Sequence, residues 1–205
     1  MIKLAYPTLD AKKILQVAPV IGGGFFEHSK VFSDQKVYPD QKVLPETKKS
    51  ITYMNRRSPE HADKVIFFLK PYLPADWSLT LIDGMREAQV VQMLSESSIF
   101  LSFCELEGFG LPPLEAALCG NAVVGYTGQG AQEYFNTPVF HTIAHGDLHA
   151  FVMAIRATIT KISQGNLYSP AFIEQLEQLK HRYSPAQQLQ SLLTFAACAS
   201  TTLQR

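Results

Sequence analysis

The sequence predicts an α/β fold, a doubly wound parallel sheet with helices on both faces. Two short apolar runs, Ile99–Phe103 and Ala122–Gly125, lack the polar alternation of half-exposed strands and are typical of strands that are covered on both faces. Segments with helical spacing of apolar residues separate such runs, and this alternation favours a parallel sheet. The apolar fraction of 46% over 205 residues is enough for a full core.

Residues 1–49 are interpreted as an N-terminal extension or linker, and residues 50–205 as the folded domain. Met1–Tyr6 and Ile14–Val17 are compatible with short strands, and residues 33–50 have the polar, aperiodic composition of a linker. The glycines of Val20–Phe26 predict a turn beside an extended segment. They do not predict a phosphate loop, because neither Gly-Lys-Ser/Thr nor an amphipathic helix follows them.

In the first half of the domain, the sequence predicts two strands and two helices before Ile99. Ser58 and Pro59 have the types preferred at the start of a helix, whose apolar face would consist of Ala62, Val65, Ile66 and Leu69. The predicted elements are a strand over Ile51–Met54, the helix that follows Ser58, a strand over Trp77–Ile82 and a short helix over Glu87–Glu96.

A glycine loop joins the buried strand Ile99–Phe103 to the next helix. Glycine at positions 108 and 110 permits backbone conformations that other residues avoid, and it allows a ligand to approach the backbone closely. Pro112 and Pro113 are tolerated in a first helical turn, and Gly120 is expected to end the helix. N–H groups at such a helix start attract phosphate.

Two glutamates flank this loop, with seven residues between Glu107 and Glu115. Glu107 follows the carboxyl end of a strand, where ligands of open α/β sheets bind. Glu115 lies one helical turn further on, where a carboxylate could accept hydrogen bonds from a vicinal diol such as a ribose.

The rest of the chain predicts a last strand over Pro138–Phe140 and three closing helices, which begin at Asp147, Pro170 and Ser184. Three histidines recur at positions 141, 145 and 149. We interpret them as non-ligands, because Gly146 and Asp147 break any shared helix and no carboxylate completes a metal-binding pattern.

The segment from Glu107-Gly-Phe-Gly-Leu-Pro-Pro-Leu-Glu115 to Cys119-Gly120, followed by Val123-Val124 and Gly128-Gln-Gly130-Ala-Gln-Glu133, resembles the nucleotide-sugar half of retaining glycosyltransferases with the GT-B fold. The resemblance implies a single Rossmann-like domain of the GT-B C-terminal type, with closing C-terminal helices. It covers residues 50 to about 200 and is dense in motif only between Glu105 and Glu133.

The resemblance also implies roles for individual residues. Arg56 or Arg57 would hold a nucleotide diphosphate, and Lys64 is a doubtful match for the second basic residue of the family. Glu107 would be the catalytic residue and stabilise positive charge on the donor sugar, while Glu115 would bind the ribose hydroxyls. The remaining donor-binding residues would be Gly108, Phe109, Gly110, Leu111, Thr127 and Gly128. Relatives of this type need no metal and no further cofactor.

Charge and cysteine usage restrict the partners. Lysine plus arginine equals aspartate plus glutamate at 18 each, so no net field favours nucleic acid. Three cysteines without a paired spacing fit reduced thiols. No apolar run is long enough to cross a membrane, and we expect a cytoplasmic protein.

The length leaves little room for an acceptor-binding domain before residue 50. We therefore expect a UDP-, GDP- or ADP-linked sugar as donor, and a second chain or a homo-oligomer that supplies the acceptor side. Two alternatives remain open: a non-catalytic nucleotide-sugar-binding or interaction module, and another nucleotide-sugar reaction such as epimerisation.

Overall fold

A computed structural model describes residues 19, 21–27 and 48–203. The chain divides into two compact units, one over residues 22–180 and a second one that contains residues 181–203. The strands predicted over Met1–Tyr6 and Ile14–Val17, and most of the predicted linker over 33–50, lie outside the described residues.

The unit 22–180 is built on a five-stranded, fully parallel sheet with the order β2-β1-β3-β4-β5. The predicted α/β fold with a doubly wound parallel sheet is confirmed. The strands are β1 (Ser50–Met54), β2 (Ser78–Leu81), β3 (Ile99–Cys104), β4 (Ala122–Thr127) and β5 (Phe140–Thr142).

Helices alternate with these strands, as the sequence predicts. They are α1 (Gly23–Glu27), α2 (Pro59–Leu69), α3 (Glu87–Ser95), α4 (Leu111–Leu118), α5 (Leu148–Ser163), α6 (Pro170–Arg182) and α7 (Pro185–Leu203), with short 3₁₀ turns over Lys70–Tyr72 and Ala131–Glu133. Asp147 caps α5 by accepting a hydrogen bond from the Ala150 N–H at 2.9 Å, and Ser184 accepts one from the Gln187 N–H at the start of α7.

The strand order places a topological switch point between β1 and β3. The chain leaves β1 toward β2 on one side, and it leaves β3 toward β4 on the other. At such a point the connections diverge and leave a crevice at the carboxyl ends of the strands, where open α/β sheets bind ligands. The crevice here lies between the loop after Met54 and the loop after Cys104.

The central strands form the core of this unit. Every residue of β3 and β4 is buried except Cys104 and Thr127, at their carboxyl ends. Gly125 has a φ of 141°, and a Cβ there would lie 2.1 Å from the Ser102 carbonyl oxygen. Only glycine therefore allows β4 to lie against β3 at this register.

Residues 23–27 of the glycine segment are helical, so the prediction of a turn beside an extended segment was wrong there. Gly23–Glu27 forms the single turn α1, and the Phe25 side chain is buried. The glycines permit close packing, because a Cβ on Gly22 would overlap the Glu87 carboxylate and one on Gly24 would lie 3.4 Å from Val91. Tertiary packing against α3 and α4 overrides the weak helix propensity of glycine here.

In the described part of the chain, no helix is long and apolar enough to cross a membrane.

Candidate functional site

Three loops meet at the carboxyl edge of the sheet, around the switch-point crevice. One connects β1 to α2 through residues 55–58, the second connects β3 to α4 through residues 105–110, and the third follows β4 from residue 128. Pairing of Met54 with Ser102 and of Cys104 with Thr127 fixes these strand ends side by side. The candidate site residues from all three loops are thus brought to one edge.

The loop before α4 has a shape that needs glycine. Gly110 occupies the N-cap position of α4 with a φ of 84°, and a Cβ on it would lie 2.8 Å from the Tyr134 hydroxyl oxygen. That hydroxyl donates a hydrogen bond to the Gly110 carbonyl, and the Phe109 and Tyr134 rings are 5.5 Å apart. Tyr134 therefore holds the loop from beneath. A Cβ on Gly108, in contrast, would meet open space.

The second glycine turn supports the first. The Gly130 N–H donates to the Glu107 carbonyl at 3.1 Å, and a Cβ on Gly130 would lie 2.1 Å from the Gly108 carbonyl oxygen. Gly128 has a φ of 55° and lies against the backbone of residues 104–107. The turn over Thr127–Gly130 is packed directly under the loop over Glu107–Gly110.

Two prolines limit which backbone N–H groups are available as hydrogen-bond donors at the start of α4. Pro112 and Pro113 occupy the first turn of α4 and have no N–H groups. The backbone donors at this end of the helix are consequently those of the loop itself, over residues 108–111. A phosphate bound here would be held by loop N–H groups with the helix dipole behind them.

The carboxyl groups of Glu115 and Glu107 lie near each other at the loop. Burial, with Glu87 and Glu107 nearby, raises the pKa of Glu115 to about 7. The Glu107 Oε2 atom is buried and has no hydrogen-bond partner among the described residues. An unsatisfied buried carboxylate oxygen is costly, and a ligand hydroxyl would satisfy it.

Cys104 lies beside Glu107 at the end of β3. Burial and then the Glu107 carboxylate raise the pKa of Cys104 to about 12. The side chain is accordingly a neutral thiol that can donate to the carboxylate. It is not a nucleophilic thiolate.

The two arginines after β1 differ in their surroundings. Arg56 is two-thirds exposed, and its Nε lies 3.2 Å from Asp83 Oδ1 at the end of β2. Arg57 is exposed, and its charge acts on Cys104 at the end of β3. Lys64 is exposed on α2, away from the first helical turn.

Sequence reasoning missed an aromatic cluster at the same edge. His61, in the first turn of α2, lies with its ring centroid 4.8 Å from that of His145 and 5.7 Å from that of Tyr126. The His145 Nε2 atom lies 3.6 Å from Glu105 Oε1. The position of His61 in a first turn after a strand was the available signal, but its neighbours come from distant parts of the sequence.

The three histidines considered for a metal site are separated by the fold. His141 is on β5, where burial and then Lys161 lower its pKa, whereas His149 is exposed on α5. Among residues 48–197, no group of three side chains suited to a metal ion comes together.

Comparison with known proteins gives three kinds of similarity. Residues 78–163 match the family described as glycosyl transferases group 1. The resemblance to this family is confirmed. The matched stretch extends from β2 to the end of α5, and so contains the glycine loop, both glutamates and the second glycine turn.

An alpha-1,6-glucosyltransferase from Actinobacillus pleuropneumoniae is 29% identical to this chain over 105 residues, which is 50% of this chain and 32% of the relative. The chain thus spans about a third of the length of this glycosyltransferase.

Solved glycosyltransferase structures have the same fold. The structure of a mutant of TarM from S. aureus, in complex with UDP among other ligands, matches with a TM-score of 0.64 and 12% identity, over 92% of this chain and 40% of that one. The structure of a GtfA/B complex matches with a TM-score of 0.54 and 17% identity, over 73% of this chain and 36% of that one. This chain therefore has the Rossmann-like fold of one half of a GT-B glycosyltransferase.

Proposed function

We propose that this chain binds a nucleotide-diphosphate sugar and serves as the donor half of a retaining glycosyltransferase. The observation that carries the proposal is the switch-point crevice, in which a glycine loop at a helix N-terminus lies between Glu107 and Glu115. The glycosyl transferases group 1 match over residues 78–163 and the UDP in the TarM structure support the same donor class.

The diphosphate would be bound by the N–H groups of residues 108–111 and by Arg56 or Arg57. Thr127 and Gly128 would face the sugar or the diphosphate from the second turn. Negative charge develops on the diphosphate as it leaves, and donors already aimed at that position stabilise the transition state. This electrostatic role asks for no metal and no titrating base.

The two glutamates would contact the ribose and the sugar of the donor. Glu115, one turn into α4, would accept hydrogen bonds from the ribose hydroxyls. Glu107 would face the sugar, because its buried Oε2 atom has no partner among the described residues. Its charge would stabilise the oxocarbenium-like anomeric carbon. The bond from that carbon to the diphosphate oxygen breaks, the acceptor oxygen bonds to the same face, and the acceptor proton passes to the diphosphate.

The acceptor side would come from another domain or chain. The chain corresponds to 32% of the glucosyltransferase and 36% of the matched GtfA/B chain, and the latter structure is a complex of two proteins. A stand-alone nucleotide-sugar-binding module is the alternative that this coverage favours.

Calorimetric titration of the purified chain with UDP, GDP and ADP, and with their sugar conjugates, tests the proposal. We expect one nucleotide to bind and the Glu115→Ala variant to lose at least tenfold in affinity. The Glu177→Ala variant, at an exposed glutamate on α6, is the control. A folded chain that binds none of these ligands would contradict the proposal. Binding without transfer that a second chain rescues would favour the donor half of a split enzyme, whereas binding that no second chain converts into transfer would favour the stand-alone module.

A further inference from the structure

The last turn of α2 and the 3₁₀ turn after it expose three aromatic side chains. Phe67 is 70% exposed, and Phe68 and Tyr72 are each more than half exposed. On the neighbouring helix α5, Met153 is also exposed, and it shares a shallow groove with Phe68 and Tyr72. These four side chains are called the aromatic patch. Large apolar side chains grouped in this way mark a surface that contacts a partner or a membrane, whereas single ones need no explanation.

Three cations surround the aromatic patch. Lys64 is exposed one turn before the two phenylalanines on the same face of α2, and Lys70 is exposed directly after this helix. The Arg156 guanidinium lies 4.2 Å from the centre of the Tyr72 ring, which holds it beside the patch. None of these cations forms an ion pair with another described residue. Their charges are therefore available to an anionic partner.

The carboxylates near the patch are few. Glu60 and Asp63 lie in the first half of α2, and the Asp63 charge acts on Tyr53 in β1. From residue 64 to residue 75 the chain contains two lysines and no carboxylate. Asp76, the next one, pairs with Lys49. The surface around the aromatic patch is thus locally positive, although the whole chain carries no net charge.

We infer that the aromatic patch binds an anionic lipid surface. Aromatic rings partition into the headgroup region of a bilayer, where a lysine can bury its apolar stem and keep its charge beside the phosphates. Arginine can bind a phosphate with two parallel hydrogen bonds. Each cation near such a surface contributes about fivefold in affinity. The inference goes beyond the proposed function and does not rest on it.

A flat lipid surface fits the patch better than a protein partner does. The groove between α2 and α5 is lined by Phe68, Tyr72 and Met153 but not by Phe67. A partner helix in this groove would leave the most exposed ring of the patch uncovered. A second copy bound through the same patch would bring two sets of cations together, which is unfavourable. A planar anionic surface can contact the rings and the cations at once.

The aromatic patch lies at the far end of α2 from the switch-point crevice. This helix begins beside the crevice and has eleven residues, so its length of about 16 Å separates the two. A lipid surface at the patch would leave the crevice open. Binding of lipid and binding of nucleotide can therefore be measured separately.

Sedimentation of the full chain with lipid vesicles tests the inference. Vesicles of phosphatidylcholine alone are compared with vesicles of equal parts phosphatidylcholine and phosphatidylglycerol. The substitutions are Phe67→Ala and Lys70→Glu. Their matched controls are Phe195→Ala, at an exposed phenylalanine on α7, and Lys161→Glu, at a lysine whose charge acts on His141 in β5.

We expect the wild type to bind the anionic vesicles about tenfold or more tightly than the neutral ones, and to bind them less tightly as the salt concentration rises. Phe67→Ala should weaken binding to the anionic vesicles about fivefold, because apolar area is no longer buried. Lys70→Glu should weaken it about tenfold or more, because one attractive charge becomes repulsive. Both controls should match the wild type.

Phe67→Trp gives a direct measure of contact with the bilayer. The native Trp77 is buried, so an indole at position 67 can be distinguished from it by quenching with lipids that are brominated on the acyl chains. We expect stronger quenching in Phe67→Trp than in the wild type on anionic vesicles. Phe195→Trp, the control, should show no such increase.

Failure of the folded wild type to bind anionic vesicles would overturn the inference. Equal binding by Phe67→Ala and the wild type would also overturn it, as would an equal loss in the control variants. Binding of soluble polyglutamate without binding of vesicles would assign the patch to an acidic protein instead. A dimer that Phe67→Ala dissociates, seen in analytical ultracentrifugation, would assign the patch to a second copy. Either of these last two results would contradict a lipid surface.

Discussion

At the scale of single residues, Glu115 carries an electrostatic cost that its proposed role explains. Burial and two neighbouring carboxylates, Glu87 and Glu107, raise its pKa from the ordinary value of 4.5 to about 7. A carboxyl group with a raised pKa disfavours the folded state wherever it must be ionised. A ligand with two adjacent hydroxyls would satisfy the ionised form by donating hydrogen bonds to it.

Glu115→Gln should therefore increase the stability of the ligand-free protein at pH 8. The folded wild type binds a proton more tightly than the unfolded chain, so its free energy of unfolding falls as the pH rises from about 4.5 to about 7, then levels off. We expect the variant to gain on the order of 2 kcal/mol over the wild type at pH 8 and nothing at pH 4. Urea unfolding at a series of pH values measures this, and an unchanged difference across the series would contradict it.

The residue scale also marks what the sequence could not predict. The spacing of Glu107 and Glu115 around a glycine loop was predictable, because the residues of this motif lie close together in the sequence. The partners of His61 were not, because Tyr126 and His145 are more than sixty positions away and meet it only through the order of the strands. The difference in surroundings between Arg56 and Arg57 was not predictable either, because Asp83, which pairs with Arg56, follows another strand.

At the scale of elements, the two glycine turns form one unit. The Gly130 backbone donates to Glu107 and packs against Gly108, while Tyr134 donates to the carbonyl of Gly110. The turn after β4 consequently sets the shape of the proposed diphosphate loop, although the proposal assigns Gly130 no direct contact with the ligand.

Gly130→Ala tests this support. Its φ is −84°, so alanine suits the backbone, but the new Cβ would lie 2.1 Å from the Gly108 carbonyl oxygen. The turn and the loop must separate, and we expect nucleotide affinity to fall at least tenfold, with a loss of roughly 1–3 kcal/mol in stability. Gly23→Ala is the control, because a Cβ there meets nothing within 4 Å. Wild-type affinity in Gly130→Ala, measured by calorimetry, would show that the loop is independent of the turn.

The elements themselves were predictable where their signal was local. Continuous apolar runs predicted β3 and β4, and serine or aspartate before a periodic segment predicted α2 and α5. The exception is α1, because three consecutive glycines have weak helix propensity. Its helical turn depends on burial of Phe25, with the glycine backbone close against Glu87 and Val91. No local pattern can indicate such packing.

At the scale of the whole molecule, the proposed site joins three separate parts of the unit 22–180. The β1–α2, β3–α4 and β4 connections belong to different crossovers, and they meet only when the sheet is complete. A ligand that bridges these connections binds the folded unit and not the unfolded chain. Binding should then be linked to the unfolding of the unit as a whole.

The nucleoside diphosphate should therefore raise the thermal unfolding temperature in proportion to the logarithm of its concentration. At about 100 times the dissociation constant the stabilisation is about 2.7 kcal/mol, which corresponds to roughly 5–10 °C for a unit of this size. Scanning calorimetry at several ligand concentrations measures the shift, and Glu115→Ala at the same concentrations should show a much smaller one. If the nucleotide binds in titration but leaves the unfolding temperature unchanged, the ligand contacts a region outside the cooperative unit, and the switch-point crevice is not its site.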